Sequence, residues 1–452
     1  MSTVNFMGSY SGIDKSMIDQ LMAIEKRPLI QLSSKKTGIE SAKNSWNDVR
    51  TRLKSLFDKI KALESSETYT SKLATAGEAV SITPSKNTPE GSYQISVQQL
   101  ATTTSIIGST QNDSTVALGA TGSFTINGAT QVDVGDTDTV RSLADKINLK
   151  SKDSGVSASI IDNRLVLSNI KTGDTDIALV DVSGTVVEAT LGLGTTGTLS
   201  QGKNALFTVN GVQVERTSNT ITDVVEYTTI SLTKEHAAGQ SDTINVTLDT
   251  AKTAKAVEEF VAQYNSTMEF IEGKLAAGEV GVDGSRGALA GDSSLMRLHS
   301  SLRSMVTSSI TNGTTTIRDL SQIGVTTTDR FGKLKFDHAK LTEQLAADPD
   351  QVKNFFASKD ALGESIGFVP RINSYVDQFV SSSGIIDGKT AAYERSLKDI
   401  KKQVEAFTLR MEKKEKYFMN MFSKLDTAMM QAESQMGWLT SQISGMTASS
   451  GK

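Results

Sequence analysis

The sequence predicts an α+β multidomain protein: terminal α-helical coiled-coil legs, a helical bundle domain and two inserted small β-rich head domains. Three observations lead there. Apolar residues alternately three and four positions apart mark both ends of the 452-residue chain. A long Ser/Thr/Gly-rich middle lacks that spacing and alternates with period two, and helical spacing returns from Ala251.

Taken in order, residues 1–12 are small, polar and glycine-punctuated, the composition of a segment disordered on its own. Ile13, Met17, Leu21 and Ile24 then fall on one face of a short amphipathic helix, and Pro28 either ends that helix or sits in the first turn of the next. From about Leu29 to Glu64 a heptad pattern takes over through Ile39, Ala42, Trp46, Val49, Leu53, Leu56, Ile60 and Leu63. A mean spacing of 3.5 keeps one seam facing a partner along a supercoiled helix. The matching series at the other end is Leu397, Ile400, Val404, Phe407, Met411, then past Lys414 to Phe418, Met421, Leu425, Ala428 and Ala432, within a helix expected from about Lys389 to Gly437. The two seams are expected to pair with each other or with copies of themselves.

After Glu64, Pro84 and Pro89 enter and Ser, Thr, Gly and Val replace Lys, Glu and Leu. Tyr93–Leu100 alternates as a half-buried strand. Only Phe124, Phe207 and Tyr227 are aromatic between 101 and 250, so the cores there must be thin and built from Val, Ile, Leu and Ala. An internal echo divides them. Phe124-Thr-Ile-Asn-Gly128 recurs as Phe207-Thr-Val-Asn-Gly211, each a strand running into an Asn-Gly that favours a type I′ turn. Each is followed by a second alternating stretch and a helix-like one, Thr137–Ile147 in the first module and the shorter Thr222–Val225 in the second.

Past Ala251, Val257, Phe260, Val261, Tyr264, Met268 and Ile271 form a helix ending near Gly273, and Leu295, Leu298, Leu302 and Val306 form another. Gly324–Gly332 reads as a hairpin, Leu341–Leu345 and Val352–Phe356 as short helices, Phe368–Val380 as a helix running past Pro370, and Ser381–Gly384 as a linker. The expected divisions are 1–38 with 411–452 as a terminal leg, 39–72 with 251–410 as a helical leg domain, 73–110 with 196–250 as one β-rich head domain, and 111–195 as the second.

Composition closes off several functions. With 47 Lys+Arg against 51 Asp+Glu the formal charge is -4, and no basic stretch interleaves with aromatics, so nucleic acid is not an expected partner. Zero cysteines remove disulfides, thiolate nucleophiles and Cys-based metal sites, and suit a chain exported unfolded. No apolar run approaches the ~18 residues of a membrane span, and Asp14, Asp19 and Glu25 stand where a signal peptide needs an apolar block. The chain is therefore expected to be soluble, without membrane insertion, and either cytoplasmic or exported by a route that reads no cleaved signal.

Catalysis has little to use. His236, His299 and His338 are far apart, and no G-x-S-x-G occurs. Gly192-Leu-Gly-Thr-Thr-Gly197 matches G-x-G-x-x-G but leads into Thr198–Gly202 rather than a helix, so no helix N-terminus receives a pyrophosphate. Asp133, Asp136 and Asp138, and Asp174 with Asp176, lack the EF-hand pattern and read as turn residues. No catalytic residue, metal or cofactor is expected. The candidate functional residues are instead the seam, Ile39, Trp46, Val49, Leu53, Leu56, Ile60, Leu397, Ile400, Val404, Phe407, Met411, Phe418 and Leu425. To these the end of the last helix adds Met436, Trp438 and Leu439. Seven of the 14 methionines fall after residue 410, and flexible thioethers suit surfaces that meet more than one partner. Trp438 and Leu439 lie near an end with too little chain to bury them, so an intermolecular pocket is their expected destination.

The chain resembles the flagellar hook-associated protein 2, or filament cap, family over nearly its whole length. The resemblance is carried by Gly12-Ile-Asp-Lys-Ser-Met-Ile-Asp-Gln-Leu-Met22 with Glu25, Pro28 and Leu29, by Trp46, and by Tyr93-Gln-Ile-Ser-Val-Gln-Gln-Leu-Ala101. Further on it rests on Thr139–Asn148 with Gly155–Ser159, Phe207–Gly211 with Ser218–Ile221, Ile323-Gly-Val325 with Gly332–Asp337, and Trp438-Leu439. Thr229-Ile-Ser-Leu232 departs from the Gly-Val-Thr-Leu type of strand the family has there. The resemblance implies a structural, non-enzymatic protein secreted through the flagellar type III export channel to the distal filament tip. There a homo-oligomeric ring, often of five subunits, would help each arriving flagellin fold and insert. It also implies contact with hook–filament junction proteins, a cytoplasmic export chaperone on the C-terminal helix, and adhesive head domains. The competing readings are another axial protein, such as a junction protein or a flagellin-like chain, and an extracellular adhesin or carbohydrate-active protein. The scarcity of aromatic platforms in 101–250 opposes the last.

Overall fold

The computed structural model describes residue 8 and residues 11–128, 130–282, 284–310, 315–360 and 362–449. The expectation for 1–12 therefore falls largely on residues outside the described ones. The chain is α+β and divides into two compact units: residues 1–65 with 254–452, and residues 66–253.

Two helices open the first unit, α1 (Lys15–Glu25), capped by the Asp14 side chain on the Met17 N–H, and α2 (Arg27–Ala62). Pro28 sits in the first turn of α2, where its missing N–H costs nothing. At 36 residues α2 is about 54 Å long. On α1 the stripe is not the one expected. Met17, Leu21 and Ile24 are exposed, while Ile18 and Met22 are fully buried. Both sets have helical spacing, and only the second lines up with Leu29 and the apolar side chains of the last helix.

The second unit is built from β1 (Lys72–Ala74), β2 (Val80–Pro84), β3 (Gly91–Gln99), β4 (Ser105–Ile107), β5 (Gly122–Ile126), β6 (Thr130–Val134), α3 (Val140–Leu149), β7 (Val156–Ile161), β8 (Arg164–Asn169), β9 (Leu179–Ser183), β10 (Thr198–Ser200), β11 (Ala205–Val209), β12 (Val212–Arg216), β13 (Thr220–Ile221), β14 (Thr228–Leu232) and β15 (Asp242–Leu248). It holds two cores. One lies between the five-stranded sheet β1-β15-β3-β11-β12 and the three-stranded sheet β13-β14-β2, around Ile95, Phe207, Ile230 and Ile244. The other lies between the sheets β10-β4-β8-β7 and β6-β5-β9 with α3, around Phe124, Leu143, Ile147 and Leu167. Each core is centred on one aromatic ring, as thin β-domains require.

The two echoed motifs are both tight hairpins. Asn210 and Gly211 alone join β11 to β12, both at positive φ, the signature of a type I′ turn; Asn127 and Gly128 are also at positive φ, but Ile126 pairs with Thr130, so the β5–β6 loop is one residue longer than the expected two-residue turn. Thr139 caps α3 in a box with Ser142. In the second module Thr222–Val225 forms bends rather than the expected helical turn. Four residues with Asp223 paired to Arg216 have neither the length nor the cap that α3 has.

The chain returns through α4 (Thr250–Leu275), α5 (Ser293–Thr307), the hairpin β16 (Val325–Thr327) and β17 (Leu334–Phe336), α6 (His338–Ala347), α7 (Pro349–Phe356) and α8 (Phe368–Val380). Phe260 of α4 meets Phe368 of α8 edge-on at 5.6 Å, and Phe355 of α7 stacks on Phe368 at 5.8 Å, which centres this core on several mutually packed rings where each core of the second unit has one. A turn at Ser381–Gly384, closed by the Gly384 N–H on the Ser381 carbonyl, leads into α9 (Ile385–Ser449). At 65 residues α9 is about 97 Å long, extending past both ends of the expected Lys389–Gly437. Among the described residues no helix is long and apolar enough to cross a membrane.

Candidate functional site: the paired terminal helices

The two heptad ends meet in one unit as an antiparallel pair. Lys43 on α2 pairs with Glu394 on α9 at 2.6 Å, and Arg50, one heptad on, pairs with Asp387, one heptad back. The same register continues into α1. Glu25 pairs with Lys414 at 2.7 Å, and the Ser11 N–H donates to Asp426 at 2.7 Å, beside a second donation from the Gly8 N–H. Five polar contacts thus align α2, α1 and the residues before it with α9 from residue 387 to residue 426.

Between these contacts lies the seam. Trp46 and Val49 are fully buried there, and Ala42 nearly so; Leu53, Leu56 and Ile60 are fully buried too, but they lie past Arg50, beyond the start of α9, in the part of the fold where α2 also packs on α8. Lys389 Nζ stands 5.7 Å from the centroid of the Trp46 ring, a cation over a π face. On α9, Ile400, Phe407 and Met411 are buried, whereas Leu397 and Val404 are half-buried, as is Ile39 on α2. Further along, Phe418, Met419 and Phe422 pack with Ile13 and Leu29 against the cluster of Ile18, Met22, Phe407 and Met411. Leu425 is exposed; Phe422, one turn earlier, takes the inward place. Past Asp426 the helix keeps its apolar spacing without cover. Met436, Leu439, Ile443 and Met446 are exposed, and Trp438 is 64% exposed where Trp46 is 0%.

The spacing rule finds the seam but not its polar register. Asp426, Asp387 and Glu394 carry no signal distinguishing them from other solvated helix charges until a partner is opposite. Ile18 and Met22 had a signal, their alignment with Leu29, that a search confined to α1 misses.

The motifs with a chemical look are taken up locally. The Glu188 carboxylate fills the Gly192–Gly197 loop, accepting from the Thr195 hydroxyl at 2.8 Å, the Thr195 N–H at 2.6 Å and the Thr196 N–H at 3.2 Å. These bonds, the hydroxyl first, hold its carboxyl below the usual range and occupy the donors an anion would use. Asp138 is a helix anchor: burial pushes its carboxyl up, but the Gly135 N–H, Lys146 and the Ser142 hydroxyl outweigh that and hold it low. Gln201 donates to both Asp174 and Asp176 at 2.8 Å. His299 lies 3.2 Å from Glu272 and His338 3.9 Å from Glu258. Among the described residues no group of three or more His, Asp or Glu is placed to hold a metal ion.

Family profiles match three stretches: the flagellar hook-associated protein 2 C-terminus over residues 202–434, the flagellar hook-associated protein 2 N-terminus over 11–104, and the flagellin hook IN motif over 123–171. Flagellar hook-associated protein 2 of Escherichia coli O157:H7 is 28% identical, with 98% of each chain covered. The B-type flagellar hook-associated protein 2 of Pseudomonas aeruginosa is 27% identical over 99% of this chain and 96% of its own. Among solved structures, the D1-D2-D3 domains of the flagellar cap protein FliD from Escherichia coli superpose with a TM-score of 0.60 at 27% identity, covering 77% of this chain and 99% of that one.

Proposed function

The chain belongs to the flagellar hook-associated protein 2 family, and we propose that it caps the distal tip of the bacterial flagellar filament, where it assists flagellin to fold and polymerise. Its work is structural, with no catalytic step. The protein is secreted and assembles with copies of itself into a ring. The two β-rich cores serve as head domains, divided near residues 101–104 and 201–204 instead of at the expected 110/111 and 195/196, because β4 and β10 pair within the sheet of the second core; residues 39–72 with 251–410 serve as the helical leg domain, and residues 1–38 with 411–452 as the terminal leg. Flagellin and the hook–filament junction proteins are its partners outside the cell, and an export chaperone holds the C-terminal helix before secretion.

The single observation that carries this reading is the antiparallel pairing of α1 and α2 with α9, ending in an uncovered apolar stripe on α9. A shaft that is closed by its own chain at one end and open at the other can grip a neighbouring subunit. A cap must release and regain that grip as each subunit arrives, which a modest apolar strip of flexible methionines permits. Gold-labelled protein on intact filaments tests the reading by electron microscopy. Label confined to one end of each filament is expected; label along the shaft, or at the hook junction, points to another axial role. A screen for sugar hydrolysis addresses the carbohydrate-active alternative, and turnover abolished by one Asp or Glu substitution would displace the cap.

A further inference from the structure

We propose that His236 is an acid-sensitive latch at the root of the linker joining the two cores of the second unit, holding the end of β3 only while its imidazole is neutral. On the β15 side of β3 the strand pairing ends at Ile95 opposite Asp242. Past that point His236 substitutes for a strand, its backbone N–H serving as donor and its ring as acceptor. The His236 N–H donates to the Val97 carbonyl at 2.9 Å, and the Val97 N–H donates to His236 Nδ1 at 3.0 Å. A nitrogen that accepts from an amide carries no proton, so this geometry selects the tautomer protonated on Nε2. Nε2 faces Asp242 Oδ2 at 3.5 Å, in a setting where the two side chains are only 8% and 12% exposed.

Asp242, Glu78, Lys234 and Glu235 carry the charges nearest the ring. Asp242, on β15, also accepts from the Ala79 and Val80 amides at 2.7 and 3.0 Å. Glu78, in the turn before β2, is engaged by Lys234, and Glu235 accepts from the Leu100 N–H at 3.1 Å. Asp242 attracts an imidazolium, yet in the neutral tautomer the Nε2 proton already stands on the Asp242 side, at 3.5 Å and without a formed hydrogen bond. An added proton has only Nδ1 to occupy, and there it points at the Val97 N–H, donor against donor. The carboxylate cannot relieve that conflict without the ring leaving Val97.

Opening therefore takes up one proton, and linkage favours it as pH falls through the range where histidine charges. What opens is the segment that holds residues 97 and 100, from which the chain runs directly into Ala101–Thr104 and the second core. The latch ties acidification to loosening of the β15-facing edge of β3 at the root of the linker, while β11 and Asn219, bonded to the Ala101 N–H and carbonyl, hold the other side. It holds whether or not the protein caps a filament.

The experiment is hydrogen exchange by mass spectrometry on the full chain at pH 7.5 and pH 5.0, corrected for intrinsic exchange, following peptides that span 92–104 and 230–241. In the wild type, protection of the 92–104 peptide is expected to fall by up to about tenfold per pH unit once histidine protonates. His236→Asn keeps an acceptor oxygen where Nδ1 stood but cannot charge, so its protection should change by less than about twofold between the same conditions. His236→Phe, with no acceptor, should be poorly protected at both. A wild-type peptide equally protected at both pH values, or a pH slope that persists in His236→Asn, overturns the latch. Both arms stand even if His236→Phe does not fold.

Discussion

The Asp426 carboxylate closes the contact between α1 and α9 by accepting from two backbone N–H groups more than 400 residues away, at Gly8 and Ser11, and its residue is 5% exposed. Asp426→Ala leaves both amides without that acceptor, at a cost of about 1–3 kcal/mol. The loss should be local. Exchange over residues 11–25 is expected to rise while the core around Phe368 stays protected, and equal loosening of both would show that Asp426 supports the whole unit instead. Asp138 gives a pH dependence with a definite sign. Its carboxyl is held below the usual range, so the unfolded chain binds the proton more readily than the folded one. The stability it adds is present above the ordinary aspartate range and is lost as pH falls through the lower, folded value. Asp138→Asn should flatten the acid limb of urea stability measured below pH 5, and an unchanged limb would remove Asp138 from the account.

At the scale of the element, α2 and α9 differ along their length in how much an inserted charge costs. Leu53 is fully buried, and Leu53→Asp puts an unpaired carboxylate among apolar side chains, a loss of about 3–5 kcal/mol. Val404 is half-buried, so Val404→Asp keeps partial hydration and should cost about 1–2 kcal/mol. Urea midpoints distinguish them: Leu53→Asp is expected to unfold well before Val404→Asp, and equal midpoints would contradict the burial gradient. The same gradient explains what was legible in the sequence. Long periodic stretches declared themselves, because a heptad repeat sustained over several turns has one consistent seam, and the Asn210-Gly211 hairpin did so because its turn type admits few other residues, whereas the Asn127-Gly128 loop took in one residue more. Helix α1 did not. At 11 residues it offers two stripes of equal spacing, and only the position of Phe407, Met411 and Phe422 nearly 400 residues away decides between them. The Thr222–Val225 segment failed for a related reason, since one turn of helical spacing is too short to outweigh a polar pairing between Asp223 and Arg216.

For the whole molecule, the distribution of cores decides what survives truncation. Among the described residues, neither the ring contacts of Phe260, Phe355 and Phe368 nor the two cores of residues 66–253 involve residues 1–38 or residues beyond 410. The cluster of Ile18, Met22, Phe407 and Met411 depends on both. Removing 1–38 together with everything after 410 should therefore delete one cluster and leave the others standing. The expected product is soluble and cooperatively folded, with less helix by circular dichroism and near-native fluorescence from Trp46, since the Arg50–Asp387 and Lys43–Glu394 pairs remain. It should fail to support filament growth in cells lacking the intact protein, as judged by filament length in electron micrographs. The two readouts separate two errors. A truncated chain that aggregates or melts without cooperativity would show that the terminal helices are part of the fold's foundation. One that folds and still extends filaments would leave the paired termini without the role proposed for them, because growth would then need only the units that remain.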